Sequence, residues 1–284
     1  MKALSAAWHL LRDTFSGFIE DEALSWGASI AYYTLFSIAP VLLVVVAIVG
    51  LVFGREAAEG AIVYQFSVLM GHQTAEALQG MVESAAKPRA GAWATIIGLV
   101  VLLIAVSGVF GEVQSAMNAI WKAAPPETST LTRLMRARLV SLGLVVTAGF
   151  LLTVSLVASA ALATFSNYLA FVFPAVQAVL NVVDVVLSAL LMFGLFAAMF
   201  KVLPDCDVAW RDVAMGALAT TLLFEGGKYA IALYIGQSNV ASSYGAAGAL
   251  IVLLVWIYYS AQIFLLGAEF SRAYAKRYGS HANP

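Results

Sequence analysis

The feature that most constrains this chain is a series of long apolar runs, each about as long as a membrane is thick. A transmembrane α-helix needs about 20 consecutive, mostly apolar residues. Six segments meet that requirement, at about 30–53, 92–115, 138–163, 176–200, 211–236 and 246–270. We therefore predict an all-α fold: a polytopic membrane helical bundle with about six transmembrane helices.

The composition indicates one membrane domain. Hydrophobic residues make up 62% and charged residues 11% of the 284-residue chain, whereas a soluble domain carries about 25% charged residues. No stretch between the apolar runs is long and mixed enough to build a core of its own. We predict a single domain over 1–284, with an amphipathic N-terminal segment (1–24), an extracytoplasmic loop (54–91) and a cytoplasmic tail (272–284).

The distribution of Lys and Arg predicts the orientation of the bundle. The N-terminal segment, the second and fourth loops and the tail carry these residues, whereas the third and fifth loops carry none. The positive-inside rule then places both termini in the cytoplasm. The first loop is the exception, with Arg55, Lys87 and Arg89, but long loops are translocated largely regardless of charge.

The N-terminal segment has acidic residues where a signal peptide would be apolar, so we expect no cleavable signal. Its apolar residues Leu4, Trp8, Leu11, Phe15 and Phe18 recur at helical spacing along one face. Two interpretations remain open. The helix lies on the membrane surface, or it packs on the cytoplasmic side of the protein itself.

The first loop contains two shorter amphipathic patterns. Ile62, Phe66 and Leu69 share one helical face, and Leu78 and Met81 form the start of another. We predict two short helices here, either as a cap over the bundle or as a gate for a substrate.

Charge and residue usage exclude several classes of function. A net charge of −1 gives no reason to expect a nucleic-acid partner. The single cysteine, Cys206, cannot form an intramolecular disulfide, and His9, His72 and His281 lack metal-ligand spacing. No nucleotide motif or nucleophile–base pair is present. We predict no cofactor, no metal site, no enzymatic activity and no ATPase.

Pro40 interrupts the first apolar run. Proline cannot donate the backbone hydrogen bond to the carbonyl four residues earlier, so a bend or break is expected. Tyr32, Tyr33 and Ser37 lie near the freed carbonyl. In transporters such interruptions line binding cavities, whereas elsewhere they are purely structural kinks. We take these four residues as a candidate cavity.

The sequence resembles the YihY/BrkB family of bacterial inner-membrane proteins over nearly its whole length. In the N-terminal half the resemblance is carried by Ala31, Tyr32, Tyr33, Ser37, Pro40, Ser107, Gly108, Val109, Phe110, Asn118, Ile120 and Trp121. In the C-terminal third it is carried by Leu203, Pro204, Trp210, Arg211, Asp212, Gly216, Glu225, Lys228, Tyr234, Tyr244, Gly245, Gly248, Trp256, Tyr258, Ser260, Gly267, Ala268 and Glu269.

The resemblance implies a six-helix protein of the bacterial inner membrane without an agreed activity. Members of the family have been described as virulence factors, transporters and ribonuclease BN. A metal-dependent nuclease needs clustered ligands that hold a metal and activate water. The sequence lacks such a cluster, and capping of the fifth helix explains Asp205, Asp207 and Asp212 more simply. We therefore predict no ribonuclease activity.

Three ionisable residues are predicted at membrane depth. Glu225 and Lys228 lie about 16 Å and 12 Å from the outer end of the fifth helix, and Asp184 lies about 12 Å deep in the fourth. Because an unpaired charge at such depth is costly, we predict that Lys228 pairs with Glu225, Asp184 or both. Two carboxylates and one lysine leave one negative charge uncompensated. A proton, a cation or a basic group of a substrate could neutralise it, although a purely structural ion pair is the alternative.

Glu112 and Glu269 are predicted near the cytoplasmic interface, as a solvated rim paired with Arg138 or Arg272. Taken together, the sequence favours a transporter or lipid translocator, and the alternative is a non-transporting scaffold or envelope-integrity factor. The expected partners are membrane lipids and a small-molecule, ion or lipid substrate of unknown identity. An oligomer of identical chains is left open.

Overall fold

The computed structural model describes residues 2–86, 108–124, several positions between 143 and 154, 175–237 and 246–281. All the regular structure within these ranges is helical. The helices are α1 (Lys2–Glu20), α2 (Ala23–Phe53), α3 (Arg55–Met70), α4 (His72–Ala86), α5 (108–121), α6 (Ala175–Val202), α7 (Trp210–Gln237) and α8 (Ala246–Tyr278). Helical positions also occur between 143 and 154.

Three of these helices contain segments long and apolar enough to cross a membrane. The segments are Ala23–Leu51 in α2, Val185–Val202 in α6 and Ala247–Tyr278 in α8. They overlap the first, fourth and sixth predicted spans, and they confirm a helical membrane protein. The fifth predicted span lies in α7, a helix of 28 residues that carries more charge.

The second and third predicted spans, 92–115 and 138–163, fall largely outside the described residues. The number six therefore stays a prediction.

Two apolar cores hold the described helices together. One core contains Met117 of α5, Phe200 of α6, Val213 of α7 and Leu265 of α8, all buried. The other joins α2, α3, α4, α7 and α8 through the buried residues Val49, Met70, Leu78, Ile231 and Leu253. Burial of this apolar surface removes it from water and lipid alike, and close packing makes each helix position depend on its neighbours.

The two helices predicted in the first loop are confirmed as α3 and α4. They pack against α2 and contribute Ala58, Met70, Leu78 and Val82 to the buried core. A well-packed pair of helices fits the interpretation as a cap, while a gating role stays a hypothesis. Residues 87–91, the end of the predicted loop, lie outside the described part of the chain.

α7 and α8 approach each other closely along glycine positions. A Cβ atom added at Gly267 would overlap Thr220, and one at Gly216 would lie 2.5 Å from the Cβ of Ser271. A Cβ at Gly227 would overlap the hydroxyl of Tyr259. Small residues permit such backbone approach, which is a common way for helices to associate in membranes.

Candidate functional site

Glu225 and Lys228 form an ion pair on α7. Lys228 Nζ lies 2.7 Å from Glu225 Oε2, so the predicted pairing is confirmed. The two residues meet because positions i and i+3 share one face of a helix. Each side chain is about a quarter exposed, at 25% for Glu225 and 26% for Lys228. We call these two residues the α7 pair.

Only one of the two carboxylate oxygens of Glu225 takes part in this ion pair. Glu225 Oε1 is buried and has no hydrogen-bond partner among the described residues. A buried carboxylate oxygen without a donor is costly, since it has lost its water without replacement. The α7 pair therefore retains an acceptor position that a proton, a cation or a ligand donor can fill.

Asp184 was predicted to share this site. Its backbone lies in α6, and α6 packs against α7 as that prediction requires. The side chain of Asp184 lies outside the described residues. The three-residue site thus stays a prediction, although its Glu225–Lys228 half is present.

Aromatic side chains pack on α7 next to the α7 pair in the sequence. Phe224 packs edge-on against Trp256 of α8, with ring centroids 6.2 Å apart, and Tyr259 lies against Gly227. These rings belong to the contact between α7 and α8.

The candidate cavity around Pro40 is only partly supported. α2 continues from Ala23 to Phe53 through Pro40, so the alternative of a break is wrong. Proline removes one hydrogen bond, and neighbouring groups in a membrane bundle can compensate for one such loss. A bend at this position stays a prediction.

Three of the four predicted cavity residues differ widely in exposure, and the cavity stays a prediction. Ser37 is buried at 2% exposure, whereas Tyr32 and Tyr33 are exposed at 58% and 41%. The ring of Tyr33 lies beside Gly108 of α5, with 3.3 Å between its Cδ1 and a Cβ added there. Ser37 is thus buried within the bundle, whereas the rings of Tyr32 and Tyr33 are not.

A small cleft of about 20 Å³ lies elsewhere, between α2, α3 and α4. Its lining is mainly apolar and includes Leu42, Val46, Phe66 and Leu78. This cleft lies toward the C-terminal end of α2, where α3 and α4 pack, and none of the four predicted cavity residues lines it.

Of the two carboxylates predicted as a solvated rim, Glu112 is partly exposed on α5. Glu269 is 2% exposed, so a solvated position is wrong for it. The reason is tertiary: α1 packs over α8, and a Cβ added at Gly17 would come 2.5 Å from Glu269 Oε2. Arg272 is nearby as predicted, with Nη1 3.9 Å from that oxygen.

Glu269 belongs to a charge cluster that the sequence analysis missed and that is buried except for Lys122, whose side chain is 58% exposed. Asp21 accepts a hydrogen bond from Arg272 Nη1 at 2.7 Å and another from Lys122 Nζ. The Asp21 side chain is only 4% exposed. We call Asp21, Lys122, Glu269 and Arg272 the junction cluster, because they join the α1–α2 turn, the end of α5 and α8.

The backbone is strained beside this cluster. Glu22, which follows Asp21, has φ 54°, and Lys122 itself has φ 51°. Non-glycine residues rarely adopt this left-handed conformation, and they do so where surrounding contacts hold them there. The hydrogen bonds of Asp21 to Lys122 and Arg272 provide such contacts. No local sequence signal marks the cluster, because its members come from three separate segments.

Asp205 and Asp212, which the sequence analysis predicts on the cytoplasmic side, also have protein partners. Asn118 Nδ2 donates to Asp205 Oδ2 at 2.8 Å, and Asn118 Oδ1 accepts from the Asp205 amide at 2.7 Å. Ser280 Oγ donates to Asp212 Oδ2 at 2.6 Å. These contacts fasten the α6–α7 loop to α5, and the start of α7 to the end of α8. Within the described ranges, His, Cys, Asp and Glu side chains form no group suited to a metal.

Asp207 and Cys206 differ in their titration. The hydrogen bond from Lys201 Nζ, together with its charge, lowers the pKa of Asp207 below its ordinary value. Burial raises the pKa of the Cys206 thiol, and the neighbouring Asp205 and Asp207 raise it further against the opposing effect of Lys201. A raised pKa keeps the thiol protonated and poorly nucleophilic.

Known membrane proteins are similar in sequence to this chain over most of its length. A UPF0761 membrane protein of Alcanivorax borkumensis is 30% identical over 90% of this chain and 58% of its own length. UPF0761 membrane proteins of Vibrio parahaemolyticus and Legionella pneumophila are 29% and 28% identical, over 86% and 93% of this chain and 75% and 61% of their own lengths.

The chain thus spans about three fifths of the length of several of these relatives. No solved structure matches it. The profile of the family described as virulence factor BrkB matches residues 14–284. With a helical membrane fold and a match over nearly all of its length, the chain belongs to the YihY/BrkB family.

Proposed function

We propose that this protein is a non-enzymatic inner-membrane transporter or lipid translocator without an ATPase of its own, and that the α7 pair lies on its path. The observation that carries the proposal is the buried Glu225 Oε1, which has no partner among the described residues, beside an oxygen that holds Lys228. The substrate class is a small molecule, an ion or a lipid.

The physical argument concerns the free energy of placing a charge inside a membrane. An ionisable group near the centre of a membrane costs about 2.5–3.5 kcal/mol or more unless it is paired or hydrated. Buried carboxylate oxygens without a donor also occur at Glu269 and Asp212 among the described residues, so what distinguishes the α7 pair is its predicted position deep in a membrane-spanning helix. An unsatisfied acceptor beside a lysine suits a site that exchanges partners, because a transported group can bind there and leave again.

A second candidate, a non-transporting scaffold, is favoured by a different observation. The contacts at Gly216, Gly227 and Gly267 bring α7 and α8 so close that even one methyl group would collide with the facing helix. Such packing makes the interface rigid, and a rigid interface suits an envelope-integrity role in which the α7 pair only orients α7.

Reconstituted vesicles separate these two functions. Purified protein is placed in liposomes that carry a fluorescent phospholipid, and dithionite bleaching reports movement between leaflets. A potential-sensitive dye in parallel vesicles reports ion flux. We expect activity above protein-free vesicles in one assay, lost in the Glu225→Gln/Lys228→Met double variant. Leu222→Ala, at an exposed position of α7, is the matched control and should keep the activity. A double variant as active as the wild type would remove the α7 pair from the path.

The proposal also places both termini in the cytoplasm. Membrane-impermeant thiol labelling in a Cys206→Ser background tests this orientation. Cysteines introduced on α4 between Thr74 and Glu83 should react from outside in intact cells, and cysteines beyond Lys276 should react only after lysis. Labelling of the tail in intact cells would reverse the topology.

A further inference from the structure

α1 exposes large apolar side chains along one face. Trp8 and Ile19 are 67% and 72% exposed, and Leu11 and Phe15, which lie between them, are exposed as well. At about 100° per residue these four positions fall within a stripe about 80° wide. We call Trp8, Leu11, Phe15 and Ile19 the α1 apolar stripe.

The opposite face of α1 is the face that packs on the protein. Thr14 is buried there, Gly17 lies against Glu269, and Asp13 accepts a hydrogen bond from Arg277 Nη1 at 2.8 Å. Helical geometry places Asp13 and Gly17 on the far side of α1 from Trp8, and Thr14 at the border between the two faces. The α1 apolar stripe therefore points away from α8.

The surroundings of the stripe identify lipid as its occupant. Only Asp21 and Glu22 separate α1 from α2, whose apolar span begins at Ala23. The stripe thus ends close to the start of that apolar span, where Leu24 is exposed as well. A helix so placed meets acyl chains and headgroups before it meets any other partner.

The charges beside the stripe fit an anionic membrane surface. Arg12 is exposed and lies one turn from Trp8, at the edge of the stripe. Tryptophan prefers the membrane interface, and a long arginine side chain can reach headgroups while its stem covers apolar surface. The predicted cytoplasmic leaflet is the one that attracts basic residues.

We propose that the α1 apolar stripe is embedded in the headgroup region of the cytoplasmic leaflet, with Arg12 on anionic phospholipid headgroups. The junction cluster holds the other side of the α1–α2 turn against α8, so α1 is clamped between the bundle and the lipid. This inference is independent of transport and holds equally for a scaffold.

The test uses full-length protein in a Cys206→Ser background, with one new cysteine carrying an environment-sensitive NBD label. Trp8→Cys places the label on the stripe, and His9→Cys, at the next exposed position on the polar side, is the matched control. Both are reconstituted in vesicles of equal parts phosphatidylcholine and phosphatidylglycerol. Quenching is measured with nitroxide-labelled phospholipid and, separately, with iodide on both sides of the membrane.

We expect the label at position 8 to emit further to the blue and to be quenched several-fold more by the nitroxide lipid than the label at position 9. Iodide should show the reverse order. Equal iodide quenching at the two positions would overturn the proposal, because the stripe would then be in water. Shielding of position 8 from both quenchers would also overturn it, because protein would cover the stripe.

The charge component has its own measurement. Either Arg12→Gln or vesicles of phosphatidylcholine alone should reduce the nitroxide quenching at position 8. Unchanged quenching in both would overturn the role assigned to Arg12 and to anionic headgroups.

Discussion

The α7 pair and the junction cluster are both built from oppositely charged side chains, yet they are held in different ways. Glu225 and Lys228 lie one turn apart on a single helix, each about a quarter exposed. Asp21, by contrast, is 4% exposed and binds cations from two other segments, 101 and 251 positions away in the chain.

Because of this difference, disrupting the two regions should have different consequences for the fold. The α7 pair can open by side-chain rotation, because no second helix is held by it among the described contacts. In the junction cluster the contact between Asp21 and Arg272 is buried on both sides, so breaking it would loosen the α1–α2 turn from α8. We infer that the first region is suited to exchanging partners and the second to holding the fold, and four experiments test that contrast.

The largest effect is expected from Arg272→Met. It leaves Asp21 and Glu269 buried with one cation fewer, and removing one partner of a buried ion pair costs about 3–5 kcal/mol. Thermal unfolding in detergent should show a clear loss of stability. Arg277→Met is the control: its partner Asp13 is largely exposed, so a change of about 1 kcal/mol or less is expected. Equal losses in the two variants would contradict the special role of the junction cluster.

The second experiment concerns Lys228. Lys228→Met strands Glu225, and a lone carboxylate at membrane depth costs about 2.5–3.5 kcal/mol. The Glu225→Gln/Lys228→Met double variant should regain most of that stability, since no charge is left unpaired. Unfolding midpoints of the two variants and Glu225→Gln measure this coupling. If stability returns in the double variant and the vesicle activity does not, the pair is functional; if both return, it is structural.

The third experiment sets adjacent glycines against each other. A methyl group at Gly227 would collide with Tyr259 and approach Ile263, whereas a methyl at Gly226 meets nothing within 4 Å. Overpacking costs about 1–3 kcal/mol, so Gly227→Ala should lower the unfolding midpoint. Gly226→Ala should leave it unchanged or raise it, because alanine favours helix over glycine. Identical midpoints would show that the α7–α8 contact is looser than the structure indicates.

The smallest effect is expected at Asp207, which serves as the exposed reference for both regions. Its contact with Lys201 lowers its pKa in the folded protein, so the contribution of this pair exists above the ordinary carboxyl pKa and disappears as the pH falls through the folded value. Wild type and Asp207→Asn should differ slightly in midpoint near neutral pH and coincide in acid. A gap that widens toward acid would reverse the sign of this argument.

Local patterns in the sequence were sufficient to predict much of the helical structure of this protein. Apolar runs of membrane length predicted the helices that contain Ala23–Leu51, Val185–Val202 and Ala247–Tyr278, because a bilayer leaves backbone groups few alternatives to helical hydrogen bonding. Helical periodicity predicted α1, α3 and α4. Spacing of three along one helix predicted the contact between Glu225 and Lys228, because that contact needs no information from elsewhere in the chain.

The tertiary structure alone decided which charges are buried and which faces are free. The sequence predicts Glu269 as a solvated carboxylate, but α1 packs over it in the structure. Asp21 accepts hydrogen bonds from two cations of distant segments. Likewise, Ser37 is buried while Tyr32 and Tyr33 are exposed, although all three lie in one stretch of α2. Burial depends on which helices become neighbours, and that choice follows from packing of the whole bundle rather than from any local spacing of residues.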